Sequence, residues 1–168
     1  MRCNVPSGQS AEESALSTAQ CSRHTKNELT SMPDRRITVF FYGLFMEIEA
    51  LRAKGLQPSE HRLASVSGFA LRIGQRATLV PDPNSRVYGF TMQLTHTEVE
   101  QLYSDPSVRA YRPEAVLAHF IDGSAAPALS FNLVIPPAPG ESNPQYAAKL
   151  RDLAQRLQLP SDYVASNR

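Results

Sequence analysis

The 168-residue sequence predicts an α+β protein built on a small mixed β-sheet, curled or barrel-like, with helices between its strands. Three observations support this fold class. Short β-branched and aromatic runs recur between residues 37 and 135, and turn-forming residues separate them. Two or three helical patterns are interspersed, without the strict strand-helix alternation of a doubly wound sheet. Apolar residues make up 42% of the chain, which is enough to bury one core.

The first two elements are a strand and a short helix. Residues 37–42 (Ile-Thr-Val-Phe-Phe-Tyr) have the composition of a buried strand and are followed by Gly43. Residues 47–54 fit a short helix, because Ile48 and Leu51 lie three positions apart on one face. The chain therefore passes from strand to helix through a glycine.

Three further strands are predicted over residues 63–73, 77–80 and 87–94. Gly68 in the first of them indicates a bend or a bulge. Between the second and the third, Pro81-Asp82-Pro83-Asn84-Ser85 is dense in turn-forming residues and predicts a turn. These two strands are therefore expected to be separate.

A helix with a defined start follows. Thr95 and Glu98 have the spacing of a capping box, and the helix must end near Asp105-Pro106, because the residue before a proline disfavours helical backbone. Two more strands are predicted over residues 111–121 and 129–135, connected through Asp122-Gly123. The count is then about six strands.

The last helix carries the strongest helical pattern in the chain. Asn143 is a suitable N-cap and Pro144 suits the first turn. The pattern stops at Leu159-Pro160, and a last short turn runs through Tyr163. The predicted apolar face of this helix consists of Tyr146, Leu150, Leu153 and Leu157.

Residues 1–35 have a different composition from the rest. All thirteen Phe and Tyr residues lie between Phe40 and Tyr163, and the leader holds few bulky aliphatic residues. So little apolar side chain cannot offset the entropy of ordering the backbone, which predicts a disordered leader and one folded domain over residues 36–168. The leader has no signal-peptide apolar stretch. An over-extended gene model, with Met32 as the true initiator, would explain the presence of this leader.

The charge balance and the scarcity of metal-ligating residues exclude several classes of function. Lys and Arg total 17 against 16 Asp and Glu, so no nucleic-acid or anionic-membrane partner is expected. Both cysteines, Cys3 and Cys21, lie in the leader, and the four histidines show no ligand spacing. We therefore expect a soluble, cytoplasmic protein without a metal, with an oligomeric state that the sequence leaves open.

The common catalytic signatures for phosphate loops, dinucleotide folds, zinc proteases and serine hydrolases are absent. The chemistry that remains open to this chain is proton transfer by a carboxylate and anion capture by backbone amides. The segment Tyr42-Gly43-Leu44-Phe45 suits the second role, because a strand running directly into a helix exposes free N–H groups. A plain strand-to-helix turn is the alternative reading of the same residues.

The strand end Val-Phe-Phe-Tyr-Gly-Leu-Phe resembles the Tyr-Gly-Ser loop of the γ-glutamylcyclotransferase-like family. Four further segments resemble that family in the same order, so the resemblance covers about residues 37–165. The four segments are residues 77–90, residues 94–102, Tyr111 with its strand, and residues 142–163. The resemblance implies a small mixed β-barrel flanked by helices. It also implies that Tyr111 and Tyr146 line the ligand pocket together with the loop.

The resemblance also implies an activity. Enzymes of this family cyclise a γ-glutamyl group to 5-oxoproline and release the attached amine without a cofactor. One carboxylate takes protons from the attacking amine and gives one to the leaving amine. The amides of the Tyr42–Phe45 loop would hold the substrate's α-carboxylate, and binding would position the chain for ring closure.

The sequence departs from the family at two positions of this site. The family's loop serine is Leu44, and the glutamate of the motif Leu-Asp-x-x-Glu-Gly has no direct counterpart, so Asp105 is the nearest carboxylate, about one position displaced. Asp105 before a proline is equally explained as a turn or capping residue, with Glu114 as the remaining candidate. Three functions stay open: a cyclotransferase using Asp105, a small-carboxylate-binding module, and an interaction domain with a vestigial pocket.

Overall fold

The computed structural model describes residues 35–166, in which five strands close into one mixed barrel in the order β1-β3-β2-β4-β5. This confirms the predicted α+β barrel. The predictions for the leader, Cys3 and Cys21 lie outside the described residues. The strands are β1 (Arg36–Phe41), β2 (Ser59–Ile73), β3 (Ala77–Thr95), β4 (Tyr111–Phe120) and β5 (Ala125–Leu133). The helices are α1 (Ile48–Arg52), α2 (His96–Ser104), α3 (Pro144–Arg156) and α4 (Ser161–Ser166), with a 3₁₀ turn at Leu44–Met46.

Most neighbouring strands of the barrel are antiparallel, and one parallel pair closes it. β1 and β5 run parallel over a short stretch in which Val39 pairs with Leu129 and Phe40 with Ser130. The main core contains fully buried residues such as Val39 and its antiparallel partner Met92 on β3. Because β1 is held between two strands, the loop after Phe41 begins from a fixed position.

The predicted break between two strands at residues 81–85 is wrong, and the barrel has five strands rather than six. β3 runs through the turn-forming residues as one strand. Phe69 pairs with Pro81, but Ser67 pairs with Arg86, so four residues of β3 lie opposite Gly68 alone. The Asp82 carboxylate accepts bonds from the residues that follow it, and Gly68 has a φ of +85°. The turn formers therefore build a bulge, because β2 continues to pair on both sides of them.

The second difference concerns β5, which begins at Ala125 rather than at residue 129 and ends at Leu133. Its first residues are alanines and a proline, which have low strand propensity, yet Ala125 pairs with His119 of β4. A tight loop makes this pairing possible: the Gly123 N–H donates to the Phe120 carbonyl at 3.1 Å. Cross-strand pairing has outweighed local propensity here.

The predicted helix starts are confirmed. Thr95 accepts a bond from the Glu98 N–H and Glu98 reaches back to the Thr95 N–H, which is the full capping box. Asn143 caps α3 by accepting a bond from the Tyr146 N–H at 3.0 Å. The buried face of α3 carries Ala147, Leu150, Leu153 and Ala154. The packing of this face against the body fixes the direction in which Tyr146 points.

Candidate functional site

A cavity of about 320 Å³ lies where β1 ends and the Tyr42–Phe45 loop begins. Eight of the thirteen residues that line it are aromatic, so its wall is mainly apolar. All six binding residues predicted from the sequence line this cavity: Tyr42, Gly43, Leu44, Phe45, Tyr111 and Tyr146. The other lining residues are Phe40, Phe41, Arg76, Tyr103, Ser107, Val108 and Phe131. The structure thus brings the predicted pocket residues together, and their part in binding stays a prediction.

The loop after β1 differs from the direct strand-to-helix passage expected from the sequence. A single 3₁₀ turn at Leu44–Met46 follows Gly43, closed by a bond from the Met46 N–H to the Gly43 carbonyl at 3.0 Å. Glu47 then returns to extended backbone before α1, and its carboxylate binds Arg156 at 2.7 Å. One short turn has little dipole, so the amides here are weaker anion donors than a long helix would supply.

Tyr146 of α3 occupies the position next to this loop. Its hydroxyl is so close to Gly43 that a Cβ atom built there would meet the phenolic oxygen at 2.9 Å. The Leu44 N–H interacts with the same hydroxyl, while burial raises the pKa of Tyr146. The hydroxyl of Tyr146 therefore already partners one of the amides that the sequence assigned to the ligand.

Two more tyrosines of the wall use their hydroxyls for structure. The Tyr42 hydroxyl donates to the Phe131 carbonyl at 2.7 Å, and the Tyr111 hydroxyl donates to the Ala77 carbonyl at 2.6 Å. Burial raises the pKa of Tyr42, and the neighbouring phenol of Tyr111 adds to the shift. Burial also raises the pKa of Tyr111, against the smaller, opposite effect of Arg76. These phenols are consequently neutral at ordinary pH.

Tyr103 completes the aromatic wall from the last turns of α2. Its ring stacks on Phe131 of β5, with 3.7 Å between the ring centroids and 11° between the planes. Burial raises the pKa of Tyr103, with a smaller contribution from Tyr111. The stacked pair links α2 to the barrel and makes one side of the cavity flat and apolar.

Within residues 35–166, Arg76 is the one charged residue that lines the cavity, and nothing in the sequence singles it out. It lies in the turn between β2 and β3, where the Gly74 N–H donates to the Arg76 carbonyl at 3.0 Å. The loop before α3 fixes this turn, because Glu141 accepts from the Gln75 N–H at 2.9 Å and Asn143 contacts the Gln75 carbonyl. Among residues 35–166, no carboxylate forms a salt bridge with the Arg76 guanidinium.

Asp105, the predicted proton shuttle, does not line the cavity. It follows α2 directly as its C-cap residue, and its carboxylate binds Lys54 at 2.9 Å and both donors of Ser107. The hydrogen bond from Lys54 and those from Ser107 hold the pKa of Asp105 well below its usual range. Ser107 itself does line the cavity, so Asp105 lies one hydrogen bond away from it. Its part in proton transfer stays a prediction.

The remaining carboxylate candidate also lies outside the cavity lining. Glu114 of β4 is exposed and accepts a hydrogen bond from the Asn132 side chain at 2.6 Å. No carboxylate is therefore among the residues that line the cavity in the described part of the chain. Residues 35–166 likewise contain no group of three or more His, Cys, Asp or Glu able to hold a metal ion, and no helix long and apolar enough to cross a membrane.

Tyr103, Ser107, Val108 and Phe131 were missed by sequence reasoning for a common reason. Three of them lie at or just after the end of α2, and the fourth is on β5, far along the chain. Their side chains meet only because the barrel closes. The proline at position 106 and the Tyr103 ring were visible in the sequence, but neither signals a cavity by itself.

Solved structures identify the class of fold. A structure of γ-glutamyl cyclotransferase aligns with a TM-score of 0.66 at 19% identity, covering 79% of this chain and 86% of that one. An uncharacterized human protein gives the same values. YkqA from Bacillus subtilis aligns with a TM-score of 0.63 at 21% identity, covering 81% of this chain and 53% of that one. This chain thus has the γ-glutamylcyclotransferase-like fold. No family model and no curated protein matches its sequence.

Proposed function

We propose that this protein binds a small carboxylate-bearing molecule in the cavity beside Tyr42. The observation that carries the proposal is Arg76, the single charged residue in an aromatic cavity, which has no carboxylate partner among the described residues. A guanidinium in such a site is a strong partner for a carboxylate, because it offers two parallel N–H donors. The volume of about 320 Å³ is at the small end of the range for ligand pockets.

The binding proposal is tested by thermal unfolding of the full chain with 5-oxoproline, glutamate, 3-phenylpropionate and uncharged analogues of each. A ligand that binds only the native state raises the melting temperature, and the rise grows with the ratio of ligand concentration to dissociation constant. We expect at least one of these carboxylates to raise the melting temperature of the wild-type protein and not that of Arg76→Gln. An equal rise in both proteins would place the ligand elsewhere, and no rise with any carboxylate would end the proposal.

A second candidate function is the cyclisation of a γ-glutamyl amine or peptide to 5-oxoproline and a free amine. The contact that favours it is the hydrogen bond from the cavity residue Ser107 to Asp105 at 2.7 Å, which connects a carboxylate to the pocket. The substrate's α-amine nitrogen would attack the γ-carbonyl carbon and give one proton to the Asp105 carboxylate. The bond from that carbon to the leaving nitrogen would break, and the leaving nitrogen would take the proton from Asp105. The lowered pKa of Asp105 opposes this role, because a weakly basic carboxylate is a poor proton acceptor.

Chromatographic detection of 5-oxoproline separates the two functions. The protein is incubated with a set of γ-glutamyl amines and dipeptides, alongside Asp105→Asn and Ser107→Ala. Turnover that falls by roughly 10²–10⁴ in Asp105→Asn would establish the enzyme with Asp105 as its proton shuttle. The binding proposal instead expects no 5-oxoproline above the buffer background from any of the three proteins.

A further inference from the structure

We propose that the ligand is an apolar monocarboxylate, aryl-bearing and without an amino group, rather than an α-amino acid or a γ-glutamyl compound. This inference rests on the proposed carboxylate site and specifies the class of molecule that fills it. The carboxylate would bind Arg76, and the aryl group would lie against the Tyr103–Phe131 pair.

The apolar part of the ligand is suggested by the rings of the wall. Tyr103 and Phe131 form a stacked pair with centroids 3.7 Å apart, and Phe45 and Tyr146 line the same cavity. Aromatic side chains prefer offset-stacked or edge-to-face contacts with further rings, and burial of apolar area drives the association. A γ-glutamyl chain has few apolar atoms with which to replace the water in such a cavity.

The polar groups of the wall are largely engaged with the protein itself. The hydroxyls of Tyr42 and Tyr111 donate to the carbonyls of Phe131 and Ala77. The Ser107 hydroxyl donates to Asp105, and the Leu44 N–H interacts with the Tyr146 hydroxyl. A ligand with several polar groups would leave some of them without partners on entering the cavity, and burying such groups is unfavourable.

An α-ammonium group is the least suitable of these polar groups. The cavity lining contains no carboxylate among the described residues, and the charge that is present, Arg76, is itself positive. Aromatic rings attract cations, but a second cation beside Arg76 would be repelled at short range. The same guanidinium favours one carboxylate, so the site selects a monoanion.

The experiment compares three probes by titration calorimetry on the full chain. The probes are 3-phenylpropionate, L-phenylalanine and 3-phenylpropan-1-ol, which share one aryl chain. Phenylalanine adds the ammonium group, and the alcohol lacks the carboxylate. We expect 3-phenylpropionate to bind at least about tenfold more tightly than either of the others, since the charge-assisted hydrogen bonds from the half-buried Arg76 guanidinium to a carboxylate are stronger than neutral ones.

Arg76→Gln should reduce 3-phenylpropionate binding about tenfold or more and leave the alcohol unchanged. Arg72→Gln is the matched control, because Arg72 is exposed on β2 and does not line the cavity. Arg76→Lys keeps the charge without the paired donors and should be intermediate, which also protects the test against a poorly folded Arg76→Gln protein. Each variant is first checked for its melting temperature.

The outcomes separate the inference from the function on which it rests. If glutamate or 5-oxoproline binds in an Arg76-dependent way while 3-phenylpropionate does not, the inference is wrong and the carboxylate site stands. Equal or tighter binding of phenylalanine also overturns the inference alone. If no carboxylate binds, or if binding is the same in Arg76→Gln, both the inference and the proposed function fail.

Discussion

The hydroxyl of Tyr146 lies against Gly43, at 2.9 Å from the position that a Cβ atom of residue 43 would occupy. The backbone of Gly43 has a φ of −109° and a ψ of −154°, so no left-handed conformation requires a glycine here. A side chain at position 43 therefore needs the Tyr146 hydroxyl to shift. Tyr146 and Gly43 together set the width of the cavity at the end of β1.

The first prediction concerns this contact. Gly43→Ala should cost on the order of 1 kcal/mol of stability, because the obstructing atom is the far end of a side chain that can shift. It should weaken carboxylate binding at least about tenfold, because the shifted ring enters the cavity. Gly43→Val should abolish binding in a protein that still folds. Calorimetric titration and thermal unfolding measure both effects.

The double variant Gly43→Ala with Tyr146→Phe is the control for this prediction. Removal of the hydroxyl frees the space that the new methyl group needs, so part of the lost affinity should return. Affinity losses that simply add in the double variant would show that the two residues do not interact through this contact.

The second prediction concerns pH and the buried phenols. Tyr42, Tyr103, Tyr111 and Tyr146 all have a raised pKa in the folded protein, chiefly because of burial. The unfolded chain loses these protons near pH 10 while the folded one keeps them, so stability is full below about pH 10 and is lost above it. Spectroscopic titration of tyrosinate should show these four phenols losing their protons at a higher pH in the native protein than in urea. Four phenols titrating normally in the native state would contradict the burial described here.

The third prediction concerns Asp105. Its lowered pKa, due first to Lys54 and then to Ser107, means that it stabilises the fold above the unfolded value of about 3.9. That contribution is lost as the pH falls through the folded value. Asp105→Asn should therefore lower the melting temperature at neutral pH, with the difference from wild type shrinking below about pH 4. Carboxylate affinity should stay within about twofold of wild type.

Lys54→Gln is the matched partner of Asp105→Asn, because it removes the same ion pair from the other side. The two variants should have similar melting temperatures. A large loss of ligand affinity in Asp105→Asn alone would show that the Asp105 side chain takes part in ligand binding rather than only in the structure at the end of α2.

The fourth prediction concerns the support of Arg76. Glu141 accepts hydrogen bonds from the N–H groups of Gln75 and Ala138, and so ties the β2–β3 turn to the loop before α3. Glu141→Ala should weaken carboxylate binding several-fold, although Glu141 does not line the cavity. Glu100→Ala removes an exposed charge of α2 and should leave binding unchanged. Equal affinity in both variants and wild type would show that the turn needs no such support.

The sequence predicted those parts of the fold that depend on local patterns. The capping box at Thr95, the cap at Asn143 and the strand before Gly43 are confirmed, because short-range hydrogen bonds and periodicity determine them. The turn predicted at residues 81–85 became a bulge, and β5 began four residues early. Pairing with a neighbouring strand determined both of these differences, and no local sequence pattern indicates such pairing.

The candidate site likewise contains residues that the sequence predicted and residues that it did not. The Tyr42–Phe45 loop follows a recognisable strand end, and Tyr111 and Tyr146 came from the family resemblance. Arg76 could not be found from the sequence, because an arginine in a surface turn is ordinary. The turn that carries it is held by contacts with Glu141 and Asn143, across more than sixty intervening positions. Contacts between residues so far apart in the sequence form because the barrel closes.

The position of the ligand is measured by a crystal structure of the protein with its tightest-binding carboxylate. We expect the ligand to occupy the cavity between Tyr103, Phe131 and Tyr146, with its carboxylate within hydrogen-bonding distance, about 3 Å, of the Arg76 guanidinium. A ligand bound elsewhere, or bound in the cavity with its carboxylate against Asp105 or turned away from Arg76, would contradict it.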